Sequence, residues 1–131
     1  MGLFDKLLGG KKDTDSGSVS KPAWERLETL DALEEALALS KEKTIVIFKH
    51  STRCGISRMA LNGFEREFDI ENENLKLYFL DLIQFREISN EIAIKTGVWH
   101  ESPQLLVIKN GKAVHHSSHG AISAEKIKDY L

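Results

Sequence analysis

Apolar residues along the chain fall into short blocks, and their period changes from block to block. Trp24 to Glu28 predicts a short first strand. Leu30, Leu33 and Leu37 repeat at helical spacing in LDALEEALALS, and Thr29 before them is a fitting N-cap. Thr44 to Lys49, TIVIFK, is β-branched, aromatic and almost wholly apolar, which predicts a strand buried on both faces. From Cys54 the period lengthens. Ile56, Met59, Ala60, Phe64 and Phe68 follow i, i+3, i+4, i+8, i+12 and predict one buried face of a second helix. Leu75 to Asp81, LKLYFLD, reads as the next strand. Phe85, Ile88 and Ile92 mark a third helix, with Gly97 as its C-terminal stop. Gln104 to Lys109 predicts a strand. Asn110-Gly111 predicts a type I′ hairpin turn, which needs φ > 0 at both central residues, and Lys112 to Ser117 returns antiparallel. Ser123 then caps a predicted final helix over 124–131.

The resulting order is β-α-β-α-β-α-β-β-α. Alternation of strand and helix implies a parallel portion, and the hairpin adds an antiparallel edge. The expected fold is a three-layer α/β/α domain around one mixed sheet.

Composition narrows this further. A chain of 131 residues that is 41% hydrophobic and 29% charged suits one domain with one modest core. Residues 1–20 read differently. Leu3, Phe4, Leu7 and Leu8 sit at helical spacing, and a Gly, Lys and Ser-rich run follows. They are expected to form a flexible tail on a domain spanning 21–131. The net charge of -2 gives no basis for nucleic-acid binding. The first ten residues lack a signal-peptide pattern, and no apolar run reaches membrane-spanning length. A cytoplasmic monomer is the expectation. The single cysteine excludes an internal disulfide and a multi-cysteine metal site.

That cysteine, Cys54, lies in FKHSTRCGISRMALNGF, where the buried strand gives way to a helix. A lone cytosolic cysteine is ordinarily a small buried hydrophobe. The segment HSTRCG is instead polar and turn-like, which places the sulfur near the surface. Unpaired N–H groups in the first turn of a helix favour an anion, and therefore a thiolate. Arg53 adds positive charge, and Lys49, His50 and Arg58 add to it. Ser57, one turn on, is placed to donate its hydroxyl to the sulfur. His115, His116 and His119 form a histidine-rich patch, but adjacent strand residues face opposite ways and the spacing matches no standard zinc motif, so no metal is expected. Trp24 and Trp99 fit either a core or a groove rim.

A strand, then C-x-x-S opening a helix, then Ser102-Pro103 before a later strand resembles a thioredoxin fold in its monothiol form. More closely, KHSTRCGISRMAL together with TGVWHESPQ resembles the YtxJ-type monothiol bacilliredoxin family. The resemblance runs from Lys21 to Leu131. Family members often carry proline after the cysteine, where this chain has Gly55, and the C-G-x-S that results is similar to monothiol glutaredoxins. The resemblance implies that Cys54 is the nucleophile and that Ser57 occupies the place of a resolving cysteine. It implies a cis-proline at Pro103 facing the thiol, with Ser102 offering its backbone to a substrate. Lys49, His50 and His100 would flank the site. The implied activity removes bacillithiol-type caps from S-thiolated client proteins, with a small thiol as co-substrate and no firm cofactor. An iron–sulfur carrier and a non-catalytic adaptor remain the alternatives.

Overall fold

The computed structural model describes residues 22–131. The expected tail, 1–20, and Lys21 lie outside the described residues. The elements are β1 (Trp24–Arg26), α1 (Leu30–Leu39), β2 (Thr44–His50), α2 (Gly55–Glu67), β3 (Leu75–Asp81), α3 (Arg86–Thr96), β4 (Gln104–Lys109) and β5 (Lys112–Ser118), then 3₁₀ turns at His119–Ala121 and Ala124–Tyr130. Five strands form one sheet in the order β1-β3-β2-β4-β5. β3 runs parallel to β1 and β2, whereas β4 runs antiparallel to β2 and β5. The expected mixed sheet is present.

β2 is central, and every one of its residues is buried. Its side chains alternate between two cores, as the period of a strand requires. Ile45 and Ile47 pack with Leu33, Ala36, Ile88 and Ile92 of α1 and α3. Val46 and Phe48 pack with Phe64 and Phe68, from α2 and its end, and with Ala124 and Ile127. The predicted caps are in place. Thr29 Oγ1 accepts from the Ala32 amide at 2.9 Å, and Gly97 closes α3 at φ 72°. Asn110 and Gly111 have φ of 53° and 75°, as their hairpin turn demands.

Two expectations are corrected. The last element is a 3₁₀ turn and not an α-helix. Its two buried residues, Ala124 and Ile127, are three apart, which suits three residues per turn. Its far end is drawn to the sheet, where the Tyr130 carbonyl accepts from Thr44 Oγ1 at 2.9 Å and Lys109 Nζ at 3.0 Å. A segment this short gains little from α-helical cooperativity. The second correction concerns the face of α2. Ile56 and Met59 are 60% and 74% exposed, and the first turn instead buries Ser57. The inner stripe runs through Ser57, Ala60, Leu61, Phe64 and Phe68. β2 ends in the buried polar residues Lys49 and His50, so the facing position on the helix is a hydroxyl rather than a hydrocarbon.

Phe64 couples α2 to the sheet, with ring centroids 5.5 Å from Trp24 and 5.8 Å from both Phe48 and Phe68. Phe64→Ala is expected to cost about 3–5 kcal/mol in denaturant unfolding. Met59→Ala, which removes an exposed side chain, should fall within about 0.5 kcal/mol of the parent.

Candidate functional site

The strand–helix junction is built from β2 outward. The Cys54 amide donates to the Ser51 carbonyl at 3.2 Å, forming a tight turn after the strand. The Cys54 carbonyl accepts from the Arg58 amide at 3.1 Å, the first helical bond of α2. Cys54 is thus the N-cap residue, with extended φ and ψ of -113° and 122°, and its side chain makes no capping hydrogen bond. The thiol is half-buried and unpaired. No acidic residue stands in the first turn. Arg53, Gly55, Ile56, Arg58, Met59 and Asn62 surround it in a shallow depression. Two guanidinium-bearing side chains and two exposed apolar ones therefore border the sulfur. Ser57 lies one turn along, but beneath this surface.

Ser57 does not serve the sulfur in the way expected. It is fully buried, its Oγ accepts from the Ser51 amide at 3.0 Å, and it shares a 2.8 Å hydrogen bond with His50 Nδ1. The hydroxyl is committed to the end of the strand and the turn, because both of those polar groups are buried and need a partner. His50 is buried too, next to the Phe48 and Phe79 rings. Burial lowers its pKa, opposed by Asp81 and assisted by Arg58.

Lys49 was expected to add positive charge beside the thiol. It is fully buried and extends to the α3 side of the sheet, because adjacent strand residues project to opposite faces. Its Nζ donates to the Ser89 carbonyl at 3.2 Å and lies 3.4 Å from His100 Nδ1, which is also 3.1 Å from Ser89 Oγ. Desolvation lowers the Lys49 pKa to about 8. His100 is lowered as well, by burial first and then by Lys49 and Arg86, with Glu101 opposing.

Pro103 reaches this end of the sheet through β4. Lys49 pairs with Gln104, so Pro103 stands beside the last residues of β2. The Ser102–Pro103 bond is cis, as expected, and Pro103 opens β4 with its carbonyl accepting from the His119 amide at 3.1 Å. Ser102 Oγ is buried without a hydrogen-bond partner. Trp99 is 89% exposed on the preceding loop, which settles it as a surface residue, whereas Trp24 is half-buried and donates to Glu65 Oε2 at 2.7 Å. The register of β2 with β4 therefore brings Cys54, Ser102 and Pro103 to one end of the sheet. It leaves Lys49 under that end and His50 on the α2 side. Ser89 and Gln104 were not foreseen. Each is a polar residue in an otherwise apolar stripe, and that mismatch is the signal that marks them. Among the described residues no group of three or more His, Cys, Asp or Glu side chains converges, so the histidine patch forms no cluster of metal ligands. Among the same residues, no helix is long and apolar enough to cross a membrane.

A lone thiol at the head of the helix that follows the central strand, with a proline leading the antiparallel neighbour, defines a thioredoxin-fold protein of the single-thiol class. The family can be stated more closely. The chain belongs to the monothiol bacilliredoxins: the family model described as monothiol bacilliredoxin BrxC matches residues 25–127. A solved structure described as a candidate oxidoreductase with a thioredoxin fold is 32% identical, with 79% of this chain and 89% of that chain covered and a TM-score of 0.66. Thioredoxin from Malassezia sympodialis shares the fold at 19% identity, covering 89% and 95% of the two chains, with a TM-score of 0.66. Fasciola hepatica thioredoxin does so at 20% identity, 80% and 93% coverage and a TM-score of 0.57. Family and fold together support a role in thiol redox chemistry.

Two outcomes follow from this geometry. Ser57→Ala should destabilise the fold by about 1–3 kcal/mol, because it strands a buried amide and a buried imidazole nitrogen. Denaturant unfolding measures that. The second concerns pH. The folded pKa of Lys49, about 8, lies below the ordinary value of 10.5. Below the folded value both states hold the proton, and the buried ammonium weakens the fold in full. Between the two values the folded state sheds its proton first, and the penalty is relieved as pH rises. Lys49→Met should therefore be more stable than the parent near neutral pH, with an advantage that shrinks from about pH 8 to about pH 10.5. An advantage that stays level across that window would show that Lys49 is not carrying a buried charge.

Proposed function

We propose that this protein is a monothiol thiol–disulfide oxidoreductase that lifts low-molecular-weight thiol caps, of the bacillithiol type, from cysteines of client proteins. The observation that carries this is the placing of the chain's only thiol, half-buried, at the N-terminus of α2, where it makes no capping hydrogen bond. The Cys54 thiolate attacks the cap sulfur of the client's mixed disulfide. The old S–S bond breaks, the client cysteine leaves as a thiolate and takes a proton from water, and a Cys54–cap disulfide forms. A second small thiol then attacks that disulfide as its thiolate. Cys54 is released, and the two small thiols leave joined to each other. Nothing inside the chain resolves the intermediate, since Ser57 stands where a dithiol relative would carry its second cysteine.

The remaining site residues take supporting roles. Arg53 and Arg58 suit a cap that bears carboxylates, because guanidinium groups pair with them well. Ile56 and Met59 supply apolar contact for the client surface around the capped cysteine. Ser102, whose hydroxyl lacks a partner, and Pro103 receive the substrate backbone on the opposite side. His50 holds Ser57 and the turn, and so positions Cys54 without touching substrate. A reducing cytoplasm, where small thiols are abundant, suits the cycle.

The test is intact-mass analysis of the reduced protein incubated with a client carrying a bacillithiol cap, alongside a glutathione-capped control. One cap per chain is expected on the wild type, with decapping of the client stopping at that point until free small thiol is added. Cys54→Ser should accept none. Repeated turnover without added thiol, or decapping by Cys54→Ser, would reject the single-thiol cycle.

A further inference from the structure

Lys49 has no role in the exchange chemistry above, yet it is the most costly side chain in the core. It is fully buried, and the partners it has are a carbonyl and an imidazole, with no carboxylate in reach among the described residues. A buried ammonium held in this way lowers stability relative to an apolar residue of similar size. Its placement points to what it does instead. Lys49 and Gln104 are cross-strand partners on β2 and β4. Both project to the α3 side of the sheet, and both reach the loop between Gly97, which ends α3, and Pro103, which opens β4. Gln104 Nε2 donates to the Trp99 carbonyl at 2.8 Å. The Lys49 ammonium meets Nδ1 of the next residue, His100, at 3.4 Å, while also donating to the Ser89 carbonyl of α3. One rung of the sheet thus grips two consecutive loop residues. Ser102 and Pro103 follow after Glu101.

We infer that Lys49 is a positioning residue, which ties the loop carrying Ser102 and Pro103 to the central strand and α3 through His100. The ammonium has only donors, so His100 Nδ1 is the acceptor and the ring proton sits on Nε2. The loop has few other anchors. Ser89 Oγ lies 3.1 Å from the same His100 Nδ1, the Val98 amide donates to Thr96 Oγ1 at 3.3 Å, and Ser118 Oγ donates to Glu101. Among the described residues, no backbone carbonyl accepts from an amide of Trp99 to Ser102. A loop so sparsely bonded depends on side-chain clamps. A long cation from the central strand spans the gap to His100, where an apolar residue of equal length does not.

The test uses the full chain and three variants, Lys49→Met, His100→Leu and His100→Gln. Ring nitrogen shifts should report the Nε2–H form of His100 in the parent, and a mixture of tautomers in Lys49→Met. Backbone order parameters for residues 99–102 should fall from about 0.85 towards 0.6 or below in Lys49→Met and in His100→Leu. His100→Gln keeps an acceptor and should hold the loop near the parent value. These readouts are independent of activity. The kinetic arm rests on the thiol-exchange reading: KM for a capped client should rise about fivefold or more in Lys49→Met, with the alkylation rate of Cys54 by a small reagent changed less than about twofold. If the loop stays ordered and His100 keeps its tautomer in Lys49→Met, the positioning role is wrong. If the loop loosens as described and no variant, nor the parent, decaps a client, the clamp stands and the thiol-exchange reading falls. Should Lys49→Met fail to fold, His100→Leu carries the same decision, since His100 is only half-buried and lies outside the core.

Discussion

β2 is flanked by a parallel strand on one side and an antiparallel strand on the other, with helices over both of its faces. A strand in that position has no solvated side, so each residue from Thr44 to His50 must find its partners inside the protein. For Ile45 to Phe48 that means hydrocarbon. For Lys49 and His50 it means hydrogen bonds, and because neighbours on a strand face opposite ways, the two requirements are met in different layers. His50 is satisfied by Ser57 of α2, and Lys49 by Ser89 of α3 and His100 of the following loop. The end of the strand is therefore tied into both helical layers just before the chain turns towards Cys54.

The direction of β4 completes the arrangement. Because it runs antiparallel to β2, its beginning lies at the end of β2, and whatever precedes β4 is delivered to the thiol. A parallel β4 would have placed Ser102 and Pro103 at the far end of the sheet. The hairpin at Asn110-Gly111 extends this antiparallel edge by one strand, and the carbonyl of Pro103 is held by the His119 amide beyond β5. The start of β4, though not the loop before it, is thus held by elements that carry no chemistry of their own.

Most of this was legible in the sequence, and the exceptions share a cause. The strand and helix order, Thr29, Gly97 and the Asn110-Gly111 turn all follow from local preferences that act over a few residues. The thiol's place at a strand–helix junction follows from the change of period at Cys54, and the short last element was misread because its apolar spacing fits an α-helix and a 3₁₀ turn alike. The errors at the site are non-local. Ile56 and Met59 fit a helical stripe, but the stripe that is buried starts at Ser57, because His50 and Ser51 need a hydroxyl there. Lys49 reads as a charge near the thiol until the sheet register turns it to the α3 side, towards Ser89 and His100. Ser89 and Gln104 acquire meaning only when the sheet register brings them to Lys49 and to the Trp99 carbonyl.

Polar groups are buried where apolar ones would pack better, at Lys49, Ser57 and Gln104, and apolar groups are exposed where polar ones would dissolve better, at Ile56, Met59 and Trp99. Neither pattern favours stability or solubility, and local rules are most often broken near sites that do something else. Here the two kinds of violation lie together, at the end of the sheet where β2 finishes. The exposed apolar side chains leave an open apolar surface, which the proposed reading covers with a client. The buried polar ones use directional bonds to keep the turn before Cys54 and the loop before Pro103 in fixed positions. Hydrocarbon packing is non-directional and would leave both segments free to shift. In the proposed single-thiol cycle this matters, because the capped intermediate must stay accessible until another thiol arrives. Rigid support beneath an open surface provides that, at the expense of the more stable core that the same backbone would accept.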